Sequence, residues 1–199
     1  DILTHTFSGF ACGTVAASLY NGAIIDRTYI VLAGSIGGLI PDLDTVSLWS
    51  GFDDLFGSLV HGLPSGREIY FGKYWYSHHG FLHSLAAIIF IGVIFTLLRK
   101  CCRPFGSVFS GNHIFSLLGF SSGYLMHLLE DLPTPSGSWG GINLFWPYTK
   151  YYGGTGEIWW WNNYDIFLIV FSVCLINTIL ILLPKQFNNV KKMLPICVL

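Results

Sequence analysis

Two uncharged apolar runs constrain this chain more than any other feature, LAAIIFIGVIFTLL over Leu85–Leu98 and IFLIVFSVCLINTILILL over Ile166–Leu183. A helix needs about 20 mostly apolar residues to cross a bilayer. Extended to their natural limits, these runs predict spans over Gly80–Leu98 and Ile166–Leu183. Three further stretches, Phe7–Ile25, Thr28–Asp44 and Ile114–Glu130, approach the same length. The first two are rich in Gly, Ala and Ser, which lowers their hydropathy but lets helices pack closely inside a membrane. Composition agrees with lipid as the solvent: 52% of the 199 residues are apolar and 11% are charged, against roughly 25% charged in a soluble domain. The expectation is an all-α, polytopic membrane helix bundle of about five transmembrane helices, forming a single domain over residues 1–199. No linker, repeat or charge run divides it.

Five spans sort the loops by side. Arg27, Arg99, Lys100, Arg103, Lys185, Lys191 and Lys192 fall on one side, and Arg67, Lys73 and Lys150 on the other, so the first side is predicted to be cytoplasmic. Every acidic residue except Asp26, all seven Trp and every His except His113 then lie on the extracytoplasmic side. Two long segments there, Thr45–Ser77 and Leu132–Asp165, read as interfacial loops with short helices. Their aromatics, among them Tyr70, Tyr74, Tyr76, Trp139, Trp146, Tyr148, Tyr151, Tyr152 and Trp159 to Trp161, suit an interfacial belt or a grip on a lipid headgroup. The near-zero net charge leaves no basic stripe for a nucleic-acid partner. The five cysteines do not form a disulfide framework: Cys12 and Cys174 lie in apolar runs, and Cys101 and Cys102 are adjacent beside basic residues. The first residues lack the basic region of a cleavable signal peptide.

The same side gathers the residues that could hold a metal. His127-Leu-Leu-Glu-Asp131 puts an imidazole and a carboxylate on one helix face. Pro41-Asp-Leu-Asp44 ends the second span with two carboxylates, which are costly beside lipid unless paired. Ser77-His-His-Gly-Phe-Leu-His-Ser84 opens the third span; helical spacing favours the pair His79 and His83, while a non-helical Gly80 turn would let His78 join His83 instead. His5 precedes the first span. Mixed imidazole and carboxylate donors suit zinc, manganese or iron better than calcium or a thiolate-bound cluster. Their number exceeds what one tetrahedral ion needs, so two ions sharing an Asp are expected, an arrangement that stabilises attacking and leaving oxygens in phosphoester cleavage.

These motifs, in this order from His5 to Pro147, resemble the YdjM-type membrane-bound metal-dependent hydrolases. That family's pattern is an early His, then P-D-[LI]-D, then H-R-G-x-T-H-S, then H-x-x-x-D-x-x-T-P-x-G and a W-P. The chain matches at His5, Pro41 to Asp44, His78 to Ser84, His127 to Asp131, Thr134 to Gly137 and Trp146-Pro147. The resemblance implies metal ligation by His5, Asp42, Asp44, His78, His83, His127 and Asp131, with His79 the alternative to His78. His79 stands where the family has Arg, and Leu82 where it has Thr. The implied activity is metal-dependent hydrolysis, with zinc the first choice of ion and Asp131, Glu130 or Asp44 as base. A site at bilayer level suggests a lipid or lipid-linked ester or phosphoester. A histidine-nucleophile phosphatase would need Lys and Arg clamps that do not accompany these motifs. A haem-binding or metal-transporting protein is the non-enzymatic alternative.

Overall fold

The structure, a computed structural model, describes residues 2–60, 62, 64–101, 113–156 and 163–182. Among these residues the architecture is all-helical. Seven α-helices follow in order: α1 (Ile2–Ser18), α2 (Ile24–Leu39), α3 (Phe52–Leu59), α4 (Gly66–Phe71), α5 (Leu85–Cys101), α6 (His113–Asp131) and α7 (Tyr164–Leu182). Two 3₁₀ helices, Ile40–Leu48 and Phe81–His83, interleave with them. Cys102, Arg103, Trp159 to Trp161, Lys185, Lys191 and Lys192 lie outside the described residues, as do the side chains of Arg99, Lys100 and Cys101.

Helices α1, α2 and α6 form the central packed unit, with α7 laid against α1 and α5 beside α6. The sequence permits this because the facing surfaces are made of small residues. Gly9, Gly13, Ala16 and Ala17 of α1, Gly34 and Gly38 of α2, and Gly119 and Gly123 of α6 are all buried. A Cβ at Gly34 would overlap the backbone of Gly9 and Gly13, and one at Gly123 would overlap Gly34. The three backbones therefore approach as only small residues allow. Beside this seam, Phe120, Tyr124 and Leu128 of α6 pack with Ala87 and Ile142 into an apolar core.

The outside is apolar as well. Leu32, Ile36, Ile89, Phe90, Leu118, Leu125, Leu129, Leu168, Ile169 and Leu175 are exposed on α2, α5, α6 and α7. A surface of this kind is what lipid rather than water tolerates. By length and composition one helical stretch, Ile24–Leu48, is able to cross a membrane, while Leu85–Leu97 and Tyr164–Leu180 are apolar but shorter. Three differences from the sequence reading have local causes. The second predicted span does not end at Asp44 but continues as a 3₁₀ helix through Leu48, with Pro41 in its first turn. The third begins at Leu85 rather than Gly80, because Ser84 is extended and its Oγ accepts from the Ala87 amide. Segment 132–156 contains no helix: its glycines at 137, 140, 141, 153 and 154 all take positive φ. Two isolated bridges, Pro135 to Thr155 and Ile142 to Tyr152, hold it together. Segment 45–77 does contain short helices, and the Ser65–Glu68 capping box starts α4.

Replacing Gly123 by Leu would force α6 away from α2. The expected result is a loss of about 1–3 kcal/mol or more, read as a lowered unfolding midpoint of the detergent-solubilised protein, with Gly92→Leu, where a Cβ would meet only the end of the Leu117 side chain at 4.0 Å, as the neutral control.

Candidate metal centre

Helices α1 and α5 begin, and α2 and α6 end, at the same end of the bundle, so four separate segments deliver side chains to one place. His5 comes from the first turns of α1, and Asp42 and Asp44 from the 3₁₀ helix after α2. His83 comes from the 3₁₀ turn before α5, and His127, Glu130 and Asp131 from the last turns of α6. Ser77, His78 and His79 lie on the turn that leads to His83. Except for Asp44, which is nearly closed off (8% side-chain exposure), all of these are buried.

At the middle, His127 Nε2 lies 3.1 Å from Asp131 Oδ2 and 3.6 Å from Asp42 Oδ1. His83 Nε2 lies 3.4 Å from Asp131 Oδ2, 3.7 Å from Asp42 Oδ1 and 3.3 Å from His127 Nε2. His5 Nε2 faces Asp131 Oδ1 at 3.4 Å. The opposite ring nitrogens of His127 and His5 point outward to fixed partners. His127 Nδ1 donates to the Gly38 carbonyl at 2.7 Å, so in the neutral ring Nε2 presents a lone pair to the cluster. His5 Nδ1 meets Glu130 Oε2 at 2.5 Å, and Ser8 Oγ donates to Glu130 Oε1. Both Glu130 oxygens are thereby engaged in holding His5. His78 Nδ1 is 2.9 Å from Asp44 Oδ1, and His79 Nδ1 donates to the Gly141 carbonyl at 2.9 Å.

Two buried carboxylates and several inward lone pairs in a low dielectric require a compensating cation. Three sets of donor atoms lie within 4.8 Å of one another: His5, His127 and Asp131; Asp42, His83 and His127; and His78, His79 and His83. Asp131 Oδ2, Asp44 Oδ2 and His83 Nδ1 are buried without a hydrogen-bond partner. The donor set and these orphaned atoms fit one or more divalent transition-metal ions, with the outward hydrogen bonds as the usual supports of metal-bound imidazoles.

All the residues singled out in the sequence lie in this cluster, with distinct places in it. His5, Asp42, His83, His127 and Asp131 occupy its centre. Asp44 and Glu130 touch it through the histidines they hold. His78 and His79 both reach it, so the spacing argument that set one against the other does not apply: the turn is non-helical at Gly80, and His79 has φ 63°. Sequence reasoning missed the surroundings. The Tyr70 ring stacks on His78 with centroids 4.4 Å apart, and Trp139 packs on Tyr70, His78 and His79 while its indole N–H donates to the Tyr70 carbonyl. From the sequence both suit an interfacial belt or a headgroup grip, whereas here they pack inward on the histidines; only Trp49 and Trp75 among the described tryptophans are strongly exposed. Burial first, then Asp42, Asp44 and Asp131, push the Tyr70 phenol above its usual value, so it remains a proton donor. Burial, then His78 and His83, hold the His79 ring well below its ordinary range, and it is neutral. The Tyr124 hydroxyl donates to the Leu82 carbonyl and fixes the turn that bears His83.

A family model described as YdjM inner membrane protein matches residues 1–199. No curated protein and no solved structure matches.

His83→Ala and Asp131→Ala should each lower metal retention while membrane insertion is kept. Elemental analysis of protein purified from the membrane fraction checks this, and full metal occupancy in both variants would overturn the assignment.

Proposed function

The chain belongs to the YdjM family of inner membrane proteins, and on that premise we propose that it is a multi-pass, metal-dependent hydrolase of a lipid or lipid-linked ester or phosphoester. The observation that carries this reading is the buried meeting of Asp42, His83, His127 and Asp131, whose inward nitrogens and oxygens lie 3.1–3.7 Å apart. The proposed spans are α1, α2 with its 3₁₀ extension, α5, α6 and α7. At 17 to 19 residues, α1, α5, α6 and α7 rise roughly 26–29 Å, just under the ~30 Å hydrocarbon core. Modest local thinning accommodates that difference. The distribution of Lys and Arg supports an extracytoplasmic side for the metal end. Exposed Trp49, Tyr74, Trp75 and Tyr76 near that end suit contact with headgroups.

Two divalent ions, zinc by preference, would supply Lewis acidity and the activation of water. The chain's own residues do the rest. His5, Asp42, His78, His83, His127 and Asp131 hold the ions. Glu130 and Ser8 keep the His5 ring in place. Asp44 is the general base: its Oδ1 accepts from His78, while its Oδ2 has no hydrogen-bond partner and lies at the rim of the cluster. The Tyr70 hydroxyl, protonated and close to the same carboxylates, donates to the anionic group of the substrate. The alternative, metal holding without turnover, is favoured by one observation: His83 and His127 are wholly buried.

Turnover separates the two readings. Detergent-purified protein should contain about two transition-metal ions per chain and cleave a phosphodiester probe such as bis-p-nitrophenyl phosphate or a phospholipid vesicle. Chelation should abolish the reaction and zinc restore it. Asp44→Asn should lower kcat by about 10²–10⁴-fold with metal content unchanged. Full metal content with no hydrolysis of any ester or phosphoester probe would select the holding role instead.

A further inference from the structure

We propose that His78, His79 and His83 together form a three-imidazole site for one divalent transition-metal ion, beside a second site in the carboxylate-bearing group of His5, Asp42, His127 and Asp131, against which His83 Nε2 also lies at 3.3–3.7 Å. This rests on the metal-centre reading above and deepens it. It makes His79 a ligand alongside His78 rather than in place of it, and gives Asp44 the added task of orienting the His78 ring.

The geometry points to this division. The ring centroids of His78 and His79 are 4.4 Å apart, those of His79 and His83 4.7 Å, and those of His78 and His83 4.8 Å. The rings thus stand at the corners of a nearly equilateral triangle, and one donor nitrogen from each lies within 4.8 Å of the others. All three residues are more than nine-tenths buried. Two of the rings are already oriented from behind. Asp44 Oδ1 takes His78 Nδ1, and the Gly141 carbonyl takes His79 Nδ1, each at 2.9 Å. In each neutral ring this leaves Nε2 as the lone pair, the arrangement that carboxylate and carbonyl supports give to metal-bound histidines. His83, fully buried, has an Nδ1 with no hydrogen-bond partner.

The backbone supplies an independent argument. His79 has φ 63°, a conformation uncommon for a residue with a side chain. Such a residue persists only where its surroundings hold it. Here the hold comes from both sides of the residue: its ring bonds to Gly141, and its carbonyl accepts from the Asn143 amide at 2.8 Å. The turn thereby swings both neighbouring imidazoles toward His83, which a helical turn would not do.

Three imidazoles are the protein donor set of one type of catalytic zinc site. Imidazole donors favour zinc, cobalt, nickel or copper, whereas carboxylate and water donors accept manganese readily. The two groups are therefore expected to differ in ion preference.

The test is metal titration of the detergent-purified full chain with cobalt(II) and, separately, manganese(II), read by equilibrium stoichiometry and by the visible cobalt spectrum. Wild type should take up about two cobalt ions but about one manganese ion per chain. His79→Gly and His79→Asn both tolerate the positive φ, and Asn keeps a side-chain donor for Gly141. Both should bind about one cobalt, with the spectral band of the three-nitrogen site lost, and free imidazole should restore it in His79→Gly. If both variants keep the full cobalt complement and an unchanged spectrum, His79 is no ligand and the proposal fails while the metal-centre reading stands. Loss of both ions from variants with a wild-type unfolding midpoint also overturns it, because the two groups would then be one. If wild type takes up no ion, the metal-centre reading itself fails.

Discussion

Packing and chemistry meet at Gly38. Its Cα faces the backbone of His5, so that any Cβ there would overlap the His5 carbonyl and stand 3.2 Å from Gly9 Cα. Its own carbonyl accepts from His127 Nδ1. One residue without a side chain thus sets how closely α1 approaches α2 and also which nitrogen of His127 turns inward. The 4.0 Å separation of the His5 and His127 ring centroids depends on both. The glycine seam through Gly9, Gly34 and Gly123 continues this control along the bundle. In lipid there is little hydrophobic drive between helices, so close backbone contact and the polar cluster at the end of the seam do the joining.

The polar cluster needs that rigidity. Asp42 and Asp131 are buried carboxylates whose burial is tolerable only when a cation or its equivalent stands among them. Their partners come from α1, α6 and two 3₁₀ turns, and none of these elements holds a complete set alone. Glu130 illustrates how the support is layered. It does not face the centre; through Ser8 and His5 it ties α6 to α1 and aims an imidazole.

The residues at the centre of the cluster are legible because their motifs are local: His127 and Asp131 share a helix face, and Asp42 and Asp44 flank a single residue. That they meet at one end of the bundle agrees with the side on which a five-span reading gathers them. His79 was legible only as a rival to His78, since helical spacing has no place for a positive φ, and the carbonyl of Gly141 that aims it lies 62 residues away. Tyr70 and Trp139 looked like ordinary interfacial aromatics; nothing in their own segments shows that they pack inward on the histidines. Helix boundaries near the site were misplaced for a related reason. Pro41 and Ser84 break regular hydrogen bonding there, and tertiary contacts decide how the chain continues. The α1 helix fell short in hydropathy because its composition is given over to the small residues its packing requires.

The bond between His5 and Glu130 joins residues 125 positions apart, and that separation has a consequence for biosynthesis. At about 5–20 residues per second, roughly 6–25 s pass between the emergence of α1 and that of the helix end that completes its polar face. During that interval Ser8, Gly9 and the His5 ring have only α2 to shelter them. The N-terminal helix pair must wait as an open half, and the polar cluster is necessarily complete only once the end of α6 has emerged.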